Sequence, residues 1–330
     1  MIAITFEQPG DESRLQLTEV PDPVAGPGQV LLRIAATALN RADLLQREGR
    51  YPPPPGASPI LGLEVAGTVM EIGEGVTDFG VGDNVCALVN GGGYAQLIAI
   101  DQSMLLRLPE RLSFTKAAAI PEVFLTAFQA LHWIGRLAEG ETVLIHAGAS
   151  GVGTAAIQLV RKAGAIPLVT ASAHKHQQLL DLGAERCIDY RSEDFAEVAL
   201  DATDGHGVDL ILDFVGGPYL QQNLAACATD ARIVSLAALG GAKSDGFSLG
   251  PILRKRIQLT GTTLRSRSAE YKQRLTADFR KRIWPHFADG TLQPVVDTIY
   301  DWEEVADAHR YMASNANVGK IVLTIGIIDP

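Results

Sequence analysis

From Thr142 onward, short apolar runs alternate with segments whose apolar residues recur every three or four positions. The runs 142–147, 166–171, 186–189, 208–213, 232–237 and 257–261 read as strands, with helical patterns between most of them. Val208-Asp-Leu-Ile-Leu-Asp213 is largely apolar, as a strand buried on both faces must be. Such alternation predicts a parallel sheet covered by helices on both sides. Before Thr142 the texture differs. Apolar stretches at 30–35, 65–72 and 84–89 predict short strands, divided by turn-rich pieces such as Pro21-Asp-Pro23 and Ala25-Gly-Pro-Gly28. Tyr51-Pro-Pro-Pro-Pro-Gly56 predicts a stiff extended loop, and Gly91-Gly-Gly93 a second loop.

Near Ser113 the pattern turns helical, with Ser113 as N-cap. A second helical pattern, 124–137, brings Phe124, Phe128 and Leu131 onto one side, and reads as the passage between two domains. The tail predicts a helix over 269–288, a strand over 295–300, a helix through Met312 started by the capping-box spacing Asp301 to Glu304, and a last strand at 319–324. The pattern leaves two places open for this tail: the parallel sheet, or a return to the first domain. No internal repeat is present.

Composition narrows the picture. A length of 330 residues suits two domains, and 47% hydrophobic with 20% charged residues suits a globular chain. A net charge of −10 argues against general nucleic-acid binding. No segment reads as an unbroken apolar span, and the start, Met1-Ile-Ala-Ile-Thr-Phe-Glu7, lacks a basic region and an apolar core for export, so a cytoplasmic location is expected. Cys86, Cys187 and Cys227 are scattered with no CxxC pair, and are expected as small buried hydrophobes.

The chemistry begins at Gly148-Ala-Ser-Gly-Val-Gly153, which follows a predicted strand and opens a helical pattern over 155–163. This is the grammar of a dinucleotide-binding turn. Gly148 is expected to permit the tight turn and Gly153 to let helix and strand approach. Ser150 stands in the place of the second glycine, with a hydroxyl to offer a phosphate, and Gly151 and Val152 lead the helix N-terminus toward the pyrophosphate. The next strand ends in Ser172, with Lys175 just beyond, where an acid would hold a ribose hydroxyl. A hydroxyl and an ammonium suit a 2′-phosphate, and Tyr190 past the third strand is placed to join them. A charge-assisted hydrogen bond is worth about 1.5–3 kcal/mol, so NADPH is the expected cofactor. His174 and His176 flank the lysine and are expected to be exposed.

Ala38-Leu-Asn-Arg-Ala-Asp43, Gly49-Arg-Tyr-Pro-Pro-Pro-Pro-Gly56, Leu61-Gly-Leu-Glu-Val-Ala-Gly67, Ala117-Ala-Ala-Ile-Pro-Glu122, His146 to Leu159 and Asn317-Val-Gly-Lys-Ile-Val322 together resemble a zinc-independent medium-chain dehydrogenase/reductase of the quinone oxidoreductase branch. The likeness is greatest to the stress-inducible quinone oxidoreductases, related to zeta-crystallin. The resemblance implies an α/β fold: a GroES-like β-rich catalytic domain (1–122), an inserted Rossmann doubly wound parallel-sheet domain (123–265), and a C-terminal return to the catalytic domain (266–330). It implies a cofactor cleft and a homodimer joined through sheet edges. It also places Asn40, Asp43 and Tyr51 at the catalytic end, and Asn40, Thr126, Ala238 in the 236–240 turn, Leu264, Arg265 and Asn317 near the cofactor. Zinc-dependent relatives carry a cysteine where Asn40 stands and a histidine where Leu63 stands, so no metal is expected although Glu64 remains. The implied reaction is metal-free hydride transfer from NADPH to a quinone. A reductase of 2-enoyl thioesters or other activated alkenes, with Tyr51 as proton donor, is the alternative. A crystallin-like structural or RNA-binding protein is the third reading. No nucleic-acid or membrane partner is expected.

Overall fold

The tail strand Lys320–Thr324 lies antiparallel to Gln29–Ala38, with Val322 opposite Ala38 and Leu323 opposite Thr37. The last segment therefore returns to the first sheet. In the computed structural model, which describes residues 1–326, the chain forms two units. One holds 1–125 with the residues from Arg265 onward; the other is Thr126–Leu264. The resemblance sets these divisions at 122/123 and 265/266.

The sheet of the first unit runs in the order Val296–Asp301, Lys320–Thr324, Gln29–Ala38, Glu64–Ile72, Asn84–Leu88, Leu105–Arg107, and Leu97–Asp101 also pairs with Gln29–Ala38. Alternate residues of these strands point inward. Leu32, Ile34, Val65, Val69, Val85, Ile321 and Leu323 form the core, closed by Val305, Ala308 and Met312 of the helix Val305–Ala313. Ile2–Thr5, Gln16–Glu19, Leu97–Asp101 and Leu105–Arg107 are strands that the hydrophobic pattern does not announce. Two of them are short or fully exposed, so no apolar run marks them.

The second unit is an all-parallel sheet in the order Arg186–Ile188, Ile166–Thr170, Thr142–Ile145, Val208–Asp213, Cys227–Ser235, Gln258–Gly261. Its first strand in sequence sits between the second and the fourth. The order therefore reverses beside Thr142–Ile145, and ligands bind outside the strand ends at such a point. Leu144, Leu168, Ile188, Phe195, Leu224 and Ile233 fill its core.

Three helical expectations change. The 269–288 pattern breaks into Ala269–Arg282 and Pro285–Asp289, because Pro285 cannot donate to the turn before it. The 124–137 pattern begins earlier, at Pro121, and widens after Phe128 into the π-helical turn Gln129–Ile134. The stretch 114–134 is long and apolar enough to cross a bilayer by length and composition, against the sequence expectation, and 72% of its most apolar window is buried in the protein. Cys86, Cys187 and Cys227 are buried and unpaired.

Gly67 shows how tightly the first sheet is drawn. It pairs with Ile34, and a Cβ there would stand 2.0 Å from the Arg33 carbonyl oxygen. Gly67→Ala is expected to destabilise by about 1–3 kcal/mol or more, read as a lowered urea midpoint; an unchanged midpoint contradicts this packing.

Candidate active site

In the parallel-sheet unit, the helix Gly151–Lys162 starts at the carboxyl end of Thr142–Ile145. Ser150 caps it: the Ser150 Oγ accepts the Gly153 N–H at 3.0 Å. One lone pair is therefore used within the turn, and the O–H proton that would be offered to a phosphate takes no part in this bond. The N–H groups of Gly151 and Val152 carry no partner among the described residues. They are two free donors at the positive end of a 12-residue helix. The left-handed residue of the turn is Ala147, at φ 49°. Gly148 does not supply that conformation; its place is set by packing, since a Cβ there would meet Val169 Cβ at 2.7 Å. Gly153 packs as expected, with a Cβ only 2.5 Å from the Ala147 and Gly148 oxygens.

The adenosine end follows from two adjacent strands. Ile166–Thr170 and Arg186–Ile188 pair in register, and beyond their ends Ser172 Oγ lies 3.4 Å from Tyr190 Oη. That hydrogen bond is the main cause lowering the Tyr190 phenol below its usual range. Lys175 is 8% exposed rather than solvated, on the turn Ala173–Lys175. His176 is half-buried and bonds the Ala171 carbonyl at 3.0 Å, leaving only His174 exposed.

In the first unit a buried polar cluster assembles from four separate segments. Asn40 precedes the helix Arg41–Arg47. Its Nδ2 donates to Glu64 Oε1 at 2.9 Å, and its Oδ1 accepts from Lys320 Nζ at 2.7 Å. Lys320 pairs with Glu64 Oε1 at 2.8 Å and also donates to the Leu39 carbonyl. Glu64 is fully buried and Lys320 is 3% exposed. The other Glu64 oxygen accepts the Glu122 N–H at 2.9 Å. Asp43 does more than cap a helix. Its two oxygens accept the N–H groups of Asn40 (2.8 Å) and Gly62 (3.0 Å), tying two loops together.

Arg265, open in the sequence to a reading as a surface charge, is 6% exposed. Its Nη2 donates to Gln46 Oε1 at 2.7 Å and to the Asn90 carbonyl at 2.8 Å, and its guanidinium lies 5.4 Å over the Tyr51 ring. Its Nη1 is buried without a partner. Lys272, 3% exposed, donates to the Arg265 carbonyl at 2.8 Å. Burial lifts Asp43 to about 6 against its two N–H donors. Burial, then the Glu64 charge, lifts Glu122 to about 8. Burial and Glu122 raise the Tyr51 phenol, opposed by Arg265.

Residues 26–110 match the family described as alcohol dehydrogenase GroES-like domain, and residues 182–323 match zinc-binding dehydrogenase. The human synaptic vesicle membrane protein VAT-1 homolog is 31% identical over 330 residues, covering 96% of this chain and 84% of that protein. The chain belongs to the medium-chain dehydrogenase/reductase family.

A phenolphthiocerol/phthiocerol polyketide synthase component of Mycobacterium tuberculosis is 34% identical over 336 residues, covering 98% of this chain, and this chain spans 15% of that protein's length. Among solved structures, an NAD-dependent alcohol dehydrogenase matches with a TM-score of 0.88 at 29% identity, covering 99% of this chain and 100% of that one. CurK enoyl reductase matches at 0.88 and 28%, covering 98% and 99%. A quinone oxidoreductase of Pseudomonas syringae pv. tomato matches at 0.87 and 29%, covering 98% and 99%. This medium-chain dehydrogenase/reductase is an oxidoreductase whose parallel-sheet unit takes a nicotinamide cofactor, NAD or NADP.

The structure brings Asn40, Asp43, Tyr51 and Arg265 into one cluster, and Gly148, Ser150, Gly151, Val152 and Gly153 into one turn. Ser172 and Tyr190 meet. Thr126 is half-buried in the helix Pro121–Phe128, Ala238 is exposed in its turn, and Leu264 is buried. Asn317 braces the approach to the last strand, donating to the Gly319 carbonyl at 2.8 Å. Glu122, Lys272 and Lys320 were not singled out in the sequence. The signal for two of them is their place inside family motifs, at Pro121-Glu122 and Gly319-Lys320. Lys272 sits on an ordinary charged helix.

Removing one partner of a buried pair strands the other charge. Lys320→Met is expected to cost about 3–5 kcal/mol in chemical unfolding, and a loss below 1 kcal/mol, the surface-pair range, would contradict the pairing. Asp43 and Glu122 both hold protons more tightly folded than unfolded, since their pKa values rise from 3.8 and 4.5 to about 6 and about 8. Their contribution to stability is full below about pH 4 and is lost as pH rises through about 6 and then about 8. Unfolding midpoints are expected to follow that fall, and Glu122→Gln to flatten its upper part; an equally steep fall in the variant removes Glu122 as its source.

Proposed function

We propose that the chain is an NADPH:quinone oxidoreductase that transfers hydride without a metal ion. The observation that carries the metal-free reading is the occupied donor set. Asn40 Oδ1, Glu64 Oε1 and the Leu39 carbonyl already surround the Lys320 ammonium. Leu63 offers an apolar, buried side chain where a ligand would stand. Zinc needs three or four deprotonated N, S or O donors, so these residues do not fit it, whatever the zinc in the family description.

The residues do fit a dinucleotide. Gly151 and Val152 offer N–H groups to a pyrophosphate, and the absence of a side chain at Gly153 keeps the helix close to the turn. The Ser172–Tyr190 hydroxyl pair, with Lys175 next along the chain, supports a 2′-phosphate over a bare ribose. When bound, the nicotinamide supplies a hydride. The protein's share is to hold the acceptor and to settle the charge that develops on it. Arg265, stacked on Tyr51 with an unused N–H, suits an oxygen that gains negative charge.

A second reading, reduction of 2-enoyl thioesters or activated alkenes with Tyr51 as proton donor, is favoured by the buried, arginine-backed phenol. The likeness to an enoyl reductase and to polyketide synthases supports it as well. A panel of quinones and a crotonyl thioester, each with NADPH and NADH, separates the two. Quinone turnover that survives Tyr51→Phe supports the first; thioester turnover lost in that variant supports the second. Ser172→Asp is expected to lower the preference for NADPH over NADH roughly ten- to hundredfold, and Lys175→Ala to raise KM for NADPH with little effect on NADH. Unchanged discrimination in both variants contradicts the 2′-phosphate site.

We also propose a homodimer through the edge strand Gln258–Gly261, all of whose residues are exposed. Leu249 (60%), Leu253 (74%) and Leu259 (46%) leave an apolar surface around it. A Leu253→Glu, Leu259→Lys double variant is expected to sediment as a monomer where the wild type sediments as a dimer. Equal sedimentation of the two refutes this interface. A cytoplasmic setting suits the three buried, unpaired thiols, and a small-molecule substrate suits the site.

A further inference from the structure

We propose that the first unit carries a second ligand site, apart from the polar cluster, that takes a small monocarboxylate with an aromatic body. The site is a groove of about 510 Å³ between the end of the helix Ala269–Arg282, the helix Pro285–Asp289 and the segments at Phe79 and Leu108. That volume falls in the range of small-ligand pockets. Arg280, which lines it, stands two turns beyond Lys272 on the same helix, about 12 Å farther along the axis. The walls are mostly apolar, with Phe79, Leu108, Trp284 and Pro285 among them. Trp284 is fixed there. Its Nε1 donates to the Arg107 carbonyl at 2.9 Å, and its ring packs on Phe287 with centroids 5.2 Å apart. The one indole donor is thereby spent, so what this side chain has left for a ligand is apolar.

The polar side of the groove is cationic and incompletely satisfied. Arg280 Nη2 donates to the Ser103 carbonyl at 3.0 Å and the Leu105 carbonyl at 2.7 Å. Those bonds use both Nη2 hydrogens and bring no negative charge. The Arg280 Nε is buried without a partner. Its Nη1 makes no hydrogen bond, and no carboxylate pairs with this half-buried guanidinium among the described residues. Burial lowers it below its usual range, opposed by the Asp78 charge at the rim. Arg107 lies over the Phe79 ring at 5.0 Å and pairs with Asp83. Arg111 reaches the Ala288 carbonyl at 3.4 Å and has no ion pair among the described residues. Three guanidinium groups thus gather at one apolar groove, in a chain whose net charge is −10.

The two sides of the groove together select the ligand class. A partly desolvated cation bonded only to carbonyls still lacks a counter-charge. A carboxylate on Arg280 Nη1 supplies it through a charge-assisted hydrogen bond. An aromatic ring carried behind that carboxylate covers Trp284 and Phe79. A neutral aromatic gains only the second contact, and an inorganic anion only the first.

The site does not depend on the reductase reading, and binding of 2-naphthoate to the full chain tests it. Calorimetry at neutral pH is expected to show saturable binding that weakens as salt rises. The neutral 2-naphthamide is expected to bind about tenfold more weakly or worse, the worth of one charge-assisted hydrogen bond. In nitrogen-15 NMR the Trp284 indole signal, assigned by its loss in Trp284→Phe, is expected to shift with the same midpoint. Arg280→Gln is expected to weaken naphthoate about tenfold or more and to leave naphthamide unmoved. Because Arg280 also holds two backbone carbonyls, Ala288→Glu is the second variant. Ala288 is exposed on the groove wall, and a carboxylate there competes for the arginines without entering the core. Naphthoate binding is expected to fall by a similar factor in that variant, with the unfolding midpoint unchanged. No saturable binding to the wild type overturns the proposal, and so does equal affinity for the amide. Binding that leaves the Trp284 signal in place, or that survives Ala288→Glu, also overturns it, since the acid then sits elsewhere, as on Arg265.

Discussion

The Glu64–Lys320 pair is the constraint on which the first unit's chemistry depends. Two opposite charges lie 2.8 Å apart with almost no access to water. Neither is tolerable there alone, because the desolvation of an unpaired ion exceeds what packing can offset. Lys320 is therefore satisfied to capacity, with three acceptors for its three N–H groups, and Glu64 takes three donors. Lys320 also reaches a backbone carbonyl and Asn40; Glu64 also takes the Asn40 amide and a backbone N–H. The pair fixes Asn40 and the start of the helix that carries Glu122 through direct hydrogen bonds, and its charge enters the balance at Asp43.

The two halves of the function are built on different physics. The cofactor turn works through shape and backbone: a capped helix, two free N–H groups and a glycine that admits no side chain. Such features are local, so Gly148 to Gly153 could be read from consecutive residues. Even there the roles shifted. The left-handed angle of the tight turn fell to Ala147 and not to Gly148, and the Ser150 oxygen serves as a cap besides. The same six letters permit several divisions of labour, and only φ values and contacts choose among them.

The polar cluster works through charge in a dry setting, and it was less legible. Asn40, Asp43, Tyr51 and Arg265 entered through resemblance alone, Glu122 and Lys320 only as unremarked letters of family motifs, and Lys272 not at all. A glutamate, a lysine or an arginine in a sequence is most often a solvated surface residue. What removes these from water is the pairing of strands far apart in the chain, which periodicity does not report. The sheet orders followed a simpler rule. Buried parallel strands such as Val208–Asp213 announce themselves by largely apolar runs, whereas Gln16–Glu19 and Leu105–Arg107 carry no such mark.

The order in which the cluster's residues leave the ribosome has its own consequence. Asn40, Glu64 and Glu122 are made before the parallel-sheet unit and Lys320 after it. A nascent chain with residues up to 264 in hand can complete that unit from local contacts. Its β-rich first segment meanwhile holds a buried-to-be glutamate with no cation to meet it and lacks the strand that flanks Gln29–Ala38. Of the two units, the one begun earlier is thus the later to be able to finish folding, and it waits, with an open sheet edge, for the residues beyond Leu264.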